Sequence, residues 1–132
     1  MQTSLNKNKQ ITDKEQLLEY FHSGCKPMSQ WRIGTEHEKF AFNTKTLKPL
    51  SYEGQNGASG IRDLLLGLAE NGWKPVVENQ NIIALINPDN SSITLEPGGQ
   101  VELSGAPLKN VHQTCGEVNG HLEEVKKVAD RL

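Results

Sequence analysis

Residues 72–107 read GWKPVVENQNIIALINPDNSSITLEPGGQVELSGAP, and this segment sets the architecture of the chain. It contains four short runs with the composition of β-strands, separated by three turns rich in Asn, Gly and Pro. The four runs are residues 73–77, 82–86, 92–96 and 101–104. Because such short connections join antiparallel neighbours, the segment predicts a meander of antiparallel strands.

Helical patterns lie on both sides of the meander. Before it, four apolar residues have the i, i+3, i+4, i+7 spacing of one helix face, between Ser59 near the N-cap and Asn71-Gly72 at the end. They are Ile61, Leu64, Leu65 and Leu68. After it, a helix from about residue 110 to the end has one continuous apolar stripe. The stripe consists of Val111, Cys115, Val118, Leu122, Val125, Ala129 and Leu132.

A first helix is predicted for residues 12–23, where Thr12 and Glu15 form a capping-box pattern. Its apolar residues, Leu17, Leu18 and Phe21, share one face. The preceding residues, 1–11, are predicted to form a flexible tail. The order helix, strand, helix, strand meander and helix predicts an α+β fold with a mainly antiparallel sheet.

The strand before the second helix carries the sharpest functional signal. Beyond Gly34 the sequence alternates with period two, so Glu36, Glu38, Phe40 and Phe42 share one face. Side chains two apart on a strand lie roughly 6–7 Å from each other, and two carboxylates at that distance repel unless a cation lies between them. Mg²⁺ prefers such oxygen ligands. Because the two phenylalanines continue the face, we expect the carboxylates at the mouth of a buried surface. A solvated strand face is the alternative.

A second acidic pair flanks the Pro97-Gly98-Gly99 turn. Glu96 ends one strand, and Glu102 lies early in the next strand on the same face as Ser104. A plain hairpin with exposed acids is the alternative. Four carboxylates on neighbouring strands need a compensating charge, which favours a cation.

The glycine-rich loop of residues 51–60 precedes a helix, so its amides are candidates to receive an anion. It lacks the Gly-Lys-Ser/Thr of a Walker A loop, and an ordinary strand-to-helix loop is the alternative. HEKFA at residues 37–41 is not the HExxH zinc motif. His112 and His121 are predicted to be surface or packing residues, and Cys115 a buried small hydrophobe.

Composition argues against a nucleic-acid-binding, membrane-spanning or secreted protein. The chain has 132 residues, the length of one domain, and a net charge of −2 that gives no basic field for nucleic acid. The sequence has no apolar run long enough to span a bilayer, and residues 1–10 lack the apolar core of a secretory signal. Two isolated cysteines indicate a reducing compartment. We therefore expect a cytoplasmic protein without nucleic-acid or membrane partners.

Several motifs resemble the N-terminal part of glutamate–cysteine ligase of the plant and proteobacterial type. They are WRIGTEHEKF at 31–40, YEGQNG at 52–57, GWKPVVEN at 72–79, ITLEPGGQVELSGAP at 93–107 and HQTC at 112–115. The resemblance implies a glutamine-synthetase-like fold, in which a curved antiparallel sheet forms a funnel around the active site. Residues 12–132 would be the N-terminal portion of this catalytic domain.

The resemblance also implies a reaction. ATP phosphorylates the γ-carboxylate of L-glutamate, and the amine of L-cysteine displaces phosphate to give γ-glutamylcysteine, the first step of glutathione synthesis. It implies Mg²⁺ ligands at Glu36, Glu38, Glu96 and Glu102. Weaker candidates for substrate contact are Gly54, Gln55, Asn56, Gly57, Gln100 and Ser104.

Members of this family are several domains long, so we expect an incomplete active site in 132 residues. The expected partner is then the missing C-terminal part, or a second copy that covers the apolar stripe of the last helix. Two other functions stay open. One is a non-catalytic ligand-binding fragment or split subunit with an acidic metal-binding cavity, and the other is a carboxylate–amine ligase with another acceptor amine.

Overall fold

Residues 10–132 are described by the computed structural model, which divides the chain into two units, Met1–Trp31 and Arg32–Leu132. The flexible tail predicted for residues 1–11 lies outside the described residues except for its last two positions. None of the described helices combines the length and the apolar character needed to cross a membrane.

The first unit contains helix α1, Lys14–Ser23, followed by a 3₁₀ turn at Met28–Gln30. Asp13 is the N-cap of α1, and its carboxylate accepts a hydrogen bond of 2.9 Å from the backbone N–H of Gln16. The predicted capping box of Thr12 and Glu15 is therefore wrong, because Asp13 lies one residue nearer the first turn and is an equally strong cap. Thr12 instead bonds to the side chain of Gln16. No residue of α1 is buried.

The second unit contains a five-stranded sheet and two helices, so the predicted α+β class with an antiparallel sheet is confirmed. The strands are β1 Glu36–Phe40, β2 Lys74–Glu78, β3 Asn81–Ile86, β4 Ser92–Glu96 and β5 Gln100–Ser104, and the helices are α2 Ile61–Ala69 and α3 Val111–Ala129. The strand order is β1-β5-β4-β3-β2, and every neighbouring pair is antiparallel. The strand meander predicted from residues 72–107 is thus present, and β1 joins it beside its last strand.

The meander forms because its turns contain residues that accept a positive φ. Asn79 and Gln80 connect β2 to β3 with φ values of 46° and 69°, the signature of the two-residue turn that matches strand twist. Gly98 and Gly99 connect β4 to β5 with φ values of 79° and 77°, which glycine adopts without steric cost.

One face of the sheet packs against α2 and forms the core. Opposed residues of an antiparallel pair share a face, so the register places Leu85, Ile93 and Leu103 in one row across three strands, each at most 1% exposed. The four apolar residues predicted to form one face of α2 all pack into this cluster. Gly67 on α2 allows close contact with α3, because a Cβ atom there would lie 2.5 Å from Cγ1 of Val128.

Helix α3 buries a different face from the one predicted. Its buried residues are Thr114, His121 and Val128, whereas Val111, Cys115 and Leu122 of the predicted stripe are exposed. Two charged side chains set this orientation. The Glu117 carboxylate accepts hydrogen bonds from the Ala106 N–H at 2.7 Å and the Thr35 hydroxyl at 3.2 Å, and the Glu124 carboxylate accepts one from Trp73 Nε1 at 3.1 Å. The predicted stripe is therefore wrong as the buried face, although its Val125 packs against the core and its Val118 is half-buried.

His121 was predicted to be either a surface residue or a packing residue, and it is a packing residue. It is 4% exposed, and neither of its ring nitrogens has a hydrogen-bond partner. Burial, and to a lesser extent the nearby Lys39 and His37, lower the pKa of His121 to about 4. The imidazole is therefore neutral at neutral pH.

We expect this histidine to make stability depend on pH. The unfolded chain binds a proton at His121 near pH 6.5, whereas the native state binds it only near pH 4, so stability falls as pH decreases through that window. When the pH falls from 7 to 5, proton binding to His121 in the unfolded chain should lower the free energy of unfolding by about 2 kcal/mol. His121→Leu should remove this part of the pH dependence in urea unfolding, and His112→Leu on the exposed face should not. An unchanged pH slope in His121→Leu would contradict the assignment.

Two glycines in helices should respond oppositely to the same substitution. Gly67→Ala should lower the free energy of unfolding by about 1–3 kcal/mol, because the stiff, buried Val128 cannot move aside. Gly116→Ala on α3 meets open space and should raise it by up to about 1 kcal/mol through helix propensity. Chemical denaturation of both variants measures the difference, and a stabilised Gly67→Ala would show that the helices are not closely packed.

Candidate metal-binding site

The second face of the sheet carries the acidic residues that the sequence singled out. In the register of the sheet, Glu38 on β1, Glu102 on β5 and Thr94 on β4 form one row across the three strands. Glu36 and Ser104 form the adjacent row. We call this surface the acidic face. It lies opposite the core because each strand alternates its side chains between the two faces.

Three carboxylates meet on the acidic face. Glu36, Glu38 and Glu102 each offer an oxygen atom, and these three atoms lie within 4.8 Å of one another. Glu36 and Glu38 are exposed, whereas Glu102 is only 8% exposed. The structure thus brings together three of the four acids named from the sequence.

The Glu102 carboxylate is held by two hydroxyl groups. Ser104 donates a hydrogen bond to Oε1 at 3.1 Å, and Thr94 lies 3.4 Å from Oε2 in position to donate. The structure shows this contact for Ser104, and its expected contact with substrate stays a prediction. Thr94 was missed, although its position two residues before Glu96 on the same strand face was a usable signal.

Glu96 lies beside this group and interacts with it through Glu102. A hydrogen bond between the two carboxyl groups raises the pKa of Glu96, and the charge of Glu102 and then partial burial raise it further. The charges of Glu38 and Glu36 contribute in the same direction. The acidic face therefore includes Glu96 through its interaction with Glu102.

Phe40 and Phe42 do not lie on a buried surface, so this expectation is wrong. They are 54% and 51% exposed, and their ring centroids lie 6.2 Å apart. The row that contains Phe40 continues to Gln100 on β5 and Glu96 on β4. The two rings therefore form a half-exposed apolar patch at one end of the acidic face.

The glycine-rich loop does not offer the first amides of α2 to an anion. The N–H of Gly60 donates to the Asp63 carboxylate at 2.9 Å, and those of Ile61 and Arg62 donate to backbone carbonyls of the loop, each at 3.0 Å. Gly54 has a φ of 78°, and a Cβ atom there would lie 2.1 Å from the Ala58 carbonyl oxygen. The fold of the loop therefore requires glycine at position 54. The expected substrate contacts of Gly54, Gln55, Asn56, Gly57 and Gln100 stay predictions.

The acidic face has the donor set of a hard divalent cation. Carboxylate oxygens are the ligands that Mg²⁺ prefers, at about 2.1 Å, so two ligands on opposite sides of the ion lie about 4.2 Å apart. Ligands at adjacent corners of the octahedron lie about 3 Å apart, so the three oxygens, which lie within 4.8 Å of one another, have to move closer together to bind one ion. The exposed Glu36 and Glu38 side chains have room to rotate toward Glu102 and close this gap. The residues present therefore fit a metal of this class.

Comparison with known proteins identifies a matching protein family. Residues 32–132 match the profile of glutamate-cysteine ligase family 2. The chain is 54% identical over 120 residues to glutamate–cysteine ligase B, chloroplastic, of Oryza sativa subsp. japonica, a match that covers 90% of the chain and 23% of the relative. It is 54% identical to the chloroplastic glutamate–cysteine ligase of Nicotiana tabacum and 51% to that of Arabidopsis thaliana, each covering 90% of the chain and 22% of the relative. The chain thus spans less than a quarter of the length of these relatives.

The expected cytoplasmic location is wrong. Each of these three relatives is named chloroplastic. Isolated cysteines indicate a reducing compartment, and the cytoplasm is only one such compartment.

The interaction between the two carboxyl groups can be tested directly. Glu102→Gln should lower the pKa of Glu96 toward that of an ordinary glutamate, because both the shared hydrogen bond and the neighbouring charge are weakened. The pKa is measured by carbon-detected NMR titration of the Glu96 carboxyl group. Glu78→Gln on β2 is the matched control and should leave the Glu96 titration unchanged. An unshifted titration in Glu102→Gln would show that the two groups do not interact.

Proposed function

Because the chain belongs to glutamate–cysteine ligase family 2, we propose that it is the N-terminal part of an enzyme that joins L-glutamate to L-cysteine at the expense of ATP. The product would be γ-glutamylcysteine. The observation that carries the proposal, beyond family membership, is the group of three carboxylates on the acidic face. The other residues of the active site would come from the remainder of a longer protein, since the relatives are more than four times as long as the matched segment.

The chemistry explains why such a face is needed. In the proposed reaction the γ-phosphoryl group of ATP passes to the γ-carboxylate of glutamate, and the amine of cysteine then displaces phosphate. Both steps bring negatively charged groups together, and a bound Mg²⁺ would neutralise charge that develops on the phosphoryl oxygens. Glu36, Glu38 and Glu102 would hold the ion, and Glu96 would be a further ligand.

The fold supports the same proposal at a coarser level. We propose that residues 12–132 are the first portion of a glutamine-synthetase-like catalytic domain, with the acidic face on the inner surface of a funnel. An antiparallel sheet with a helical layer on one face and exposed acids on the other is the arrangement that such a funnel requires. We also propose a plastid location, in line with the names of the relatives.

The two other functions considered from the sequence are less well supported. A non-catalytic binding fragment and a ligase with another acceptor amine both leave the names of the relatives unexplained, since each is named for glutamate and cysteine.

A chimeric enzyme tests the proposed activity. The 120 aligned residues of the Nicotiana tabacum relative are replaced by those of this chain, and γ-glutamylcysteine formation is followed by thiol detection after chromatography. We expect the chimera to form the product in a reaction that needs ATP, Mg²⁺ and cysteine. Glu38→Gln in the chimera should lower kcat/KM by at least about 100-fold, in the range seen when a group that stabilises transition-state charge is lost.

Glu78→Gln is the matched control, because it removes a carboxylate of the same kind from the far edge of the same sheet. It should leave the activity of the chimera unchanged. A folded chimera without activity would contradict the proposed function. Full activity of Glu38→Gln would contradict the role of the carboxylate group. Replacement of cysteine by other amines checks the choice of acceptor.

A further inference from the structure

We propose that Thr94 and Ser104 are positioning residues, which orient the Glu102 carboxylate so that it presents its oxygens to a divalent cation. The inference rests on the proposed function, since it assigns these two hydroxyl groups to the cation site of that function. It concerns how the site selects its ion.

The geometry gives Glu102 a different place from the other two acids. Glu102 lies on β5, between Glu38 on β1 and Thr94 on β4, and it is the buried member of the group. Glu36 and Glu38 lie on the edge strand of the sheet and are exposed, so their carboxylates have room to rotate. Glu102 is therefore the fixed point about which the other two ligands adjust.

Two hydroxyl groups fix the plane of this carboxylate. Ser104 contacts Oε1 at 3.1 Å and Thr94 contacts Oε2 at 3.4 Å, so each oxygen has its own donor. A carboxylate oxygen accepts more than one partner, so one hydroxyl contact to each oxygen leaves capacity for a further partner, either the Glu96 carboxyl group or a metal. The Thr94 hydroxyl reaches Glu102 from the β4 side, opposite the strand that carries Glu36 and Glu38. The ion therefore has access from the β1 side without displacing Thr94.

Loss of the two hydroxyl groups should weaken the binding of Mg²⁺ and of Ca²⁺ to different extents. Groups that hydrogen-bond to metal ligands typically change metal affinity by about 10–100-fold when they are removed. Mg²⁺ and the similar Mn²⁺ need nearly octahedral coordination, whereas Ca²⁺ accepts irregular coordination by more ligands. A carboxylate that is free to rotate should thus weaken Mg²⁺ and Mn²⁺ binding more than Ca²⁺ binding. Hydrogen bonds that only satisfied a buried carboxylate would not change this ratio.

The test measures metal binding by the 132-residue chain itself. Binding of Mn²⁺ is followed by the EPR signal of the free ion, and Mg²⁺ and Ca²⁺ affinities are obtained by competition. The variants are Thr94→Val, Ser104→Ala, their combination, and the conservative Thr94→Ser and Ser104→Thr. Ser92→Ala is the matched control, because it removes a hydroxyl from the same face of β4, opposite Ser104 in the register. Glu38→Gln tests the cation site itself.

We expect the double variant to bind Mn²⁺ and Mg²⁺ about 10–100-fold more weakly and Ca²⁺ less than about threefold more weakly. Thr94→Ser, Ser104→Thr and Ser92→Ala should bind like the original chain. If Glu38→Gln weakens Mn²⁺ binding but the double variant does not, the positioning role is wrong and the cation site stands. An equal loss for all three ions would also overturn the positioning role. If the original chain and Glu38→Gln bind Mn²⁺ alike, the cation site is wrong and the positioning role falls with it.

Discussion

The pairing of β1 with β5 determines whether this chain has a site at all. Its register places Glu38 opposite Glu102 and Glu36 opposite Ser104. A shift by one residue would turn both glutamates of β1 to the core face, where Val101 and Leu103 are almost completely buried. Hydrogen bonds continue the pairing beyond the strands, from Gly105 to Thr35 at 2.7 Å and between Ile33 and Leu108 at 2.7 and 2.9 Å.

Helix α3 supports that register from the other side of the sheet. The carboxylate of Glu117 bonds to the Thr35 hydroxyl just before β1 and to the Ala106 amide just after β5. Gly105 leaves the space for this carboxylate, because a Cβ atom there would lie 2.2 Å from Oε2 of Glu117. One half-buried acid thus connects the ends of both strands that carry the candidate ligands. Its partial burial costs little because the carboxylate accepts two hydrogen bonds.

The sequence was sufficient where local pattern decides structure. The strand meander, the buried face of α2 and the facing of Glu36 with Glu38 follow from periods of 2 and 3.6 residues and from turn residues that accept positive φ. It was insufficient where a side chain bonds to a partner far along the chain. Glu117 and Thr35 are 82 residues apart, and Trp73 and Glu124 are 51 apart, so the buried face of α3 could not be derived from its own spacing. The exposure of Phe40 and Phe42 depends in the same way on what lies next to the sheet.

The acidic face is a region where stability and function oppose each other. Carboxylates within 4.8 Å of one another repel. At the edge of the group, a hydrogen bond with Glu102 and then the charge of Glu102 raise the pKa of Glu96. A sheet selected for stability alone would place a lysine or an uncharged side chain in at least one of these positions. A divalent cation bound as proposed would turn this destabilising repulsion into a net stabilisation of the native state. An ion that binds only the native state stabilises it in proportion to the logarithm of the ion concentration divided by Kd. The hydroxyl contacts to Glu102 then also affect the entropy of ion binding. By fixing one ligand in advance, they reduce the conformational entropy lost when the ion binds, so part of the ordering cost is met during folding, when the core packs behind β5.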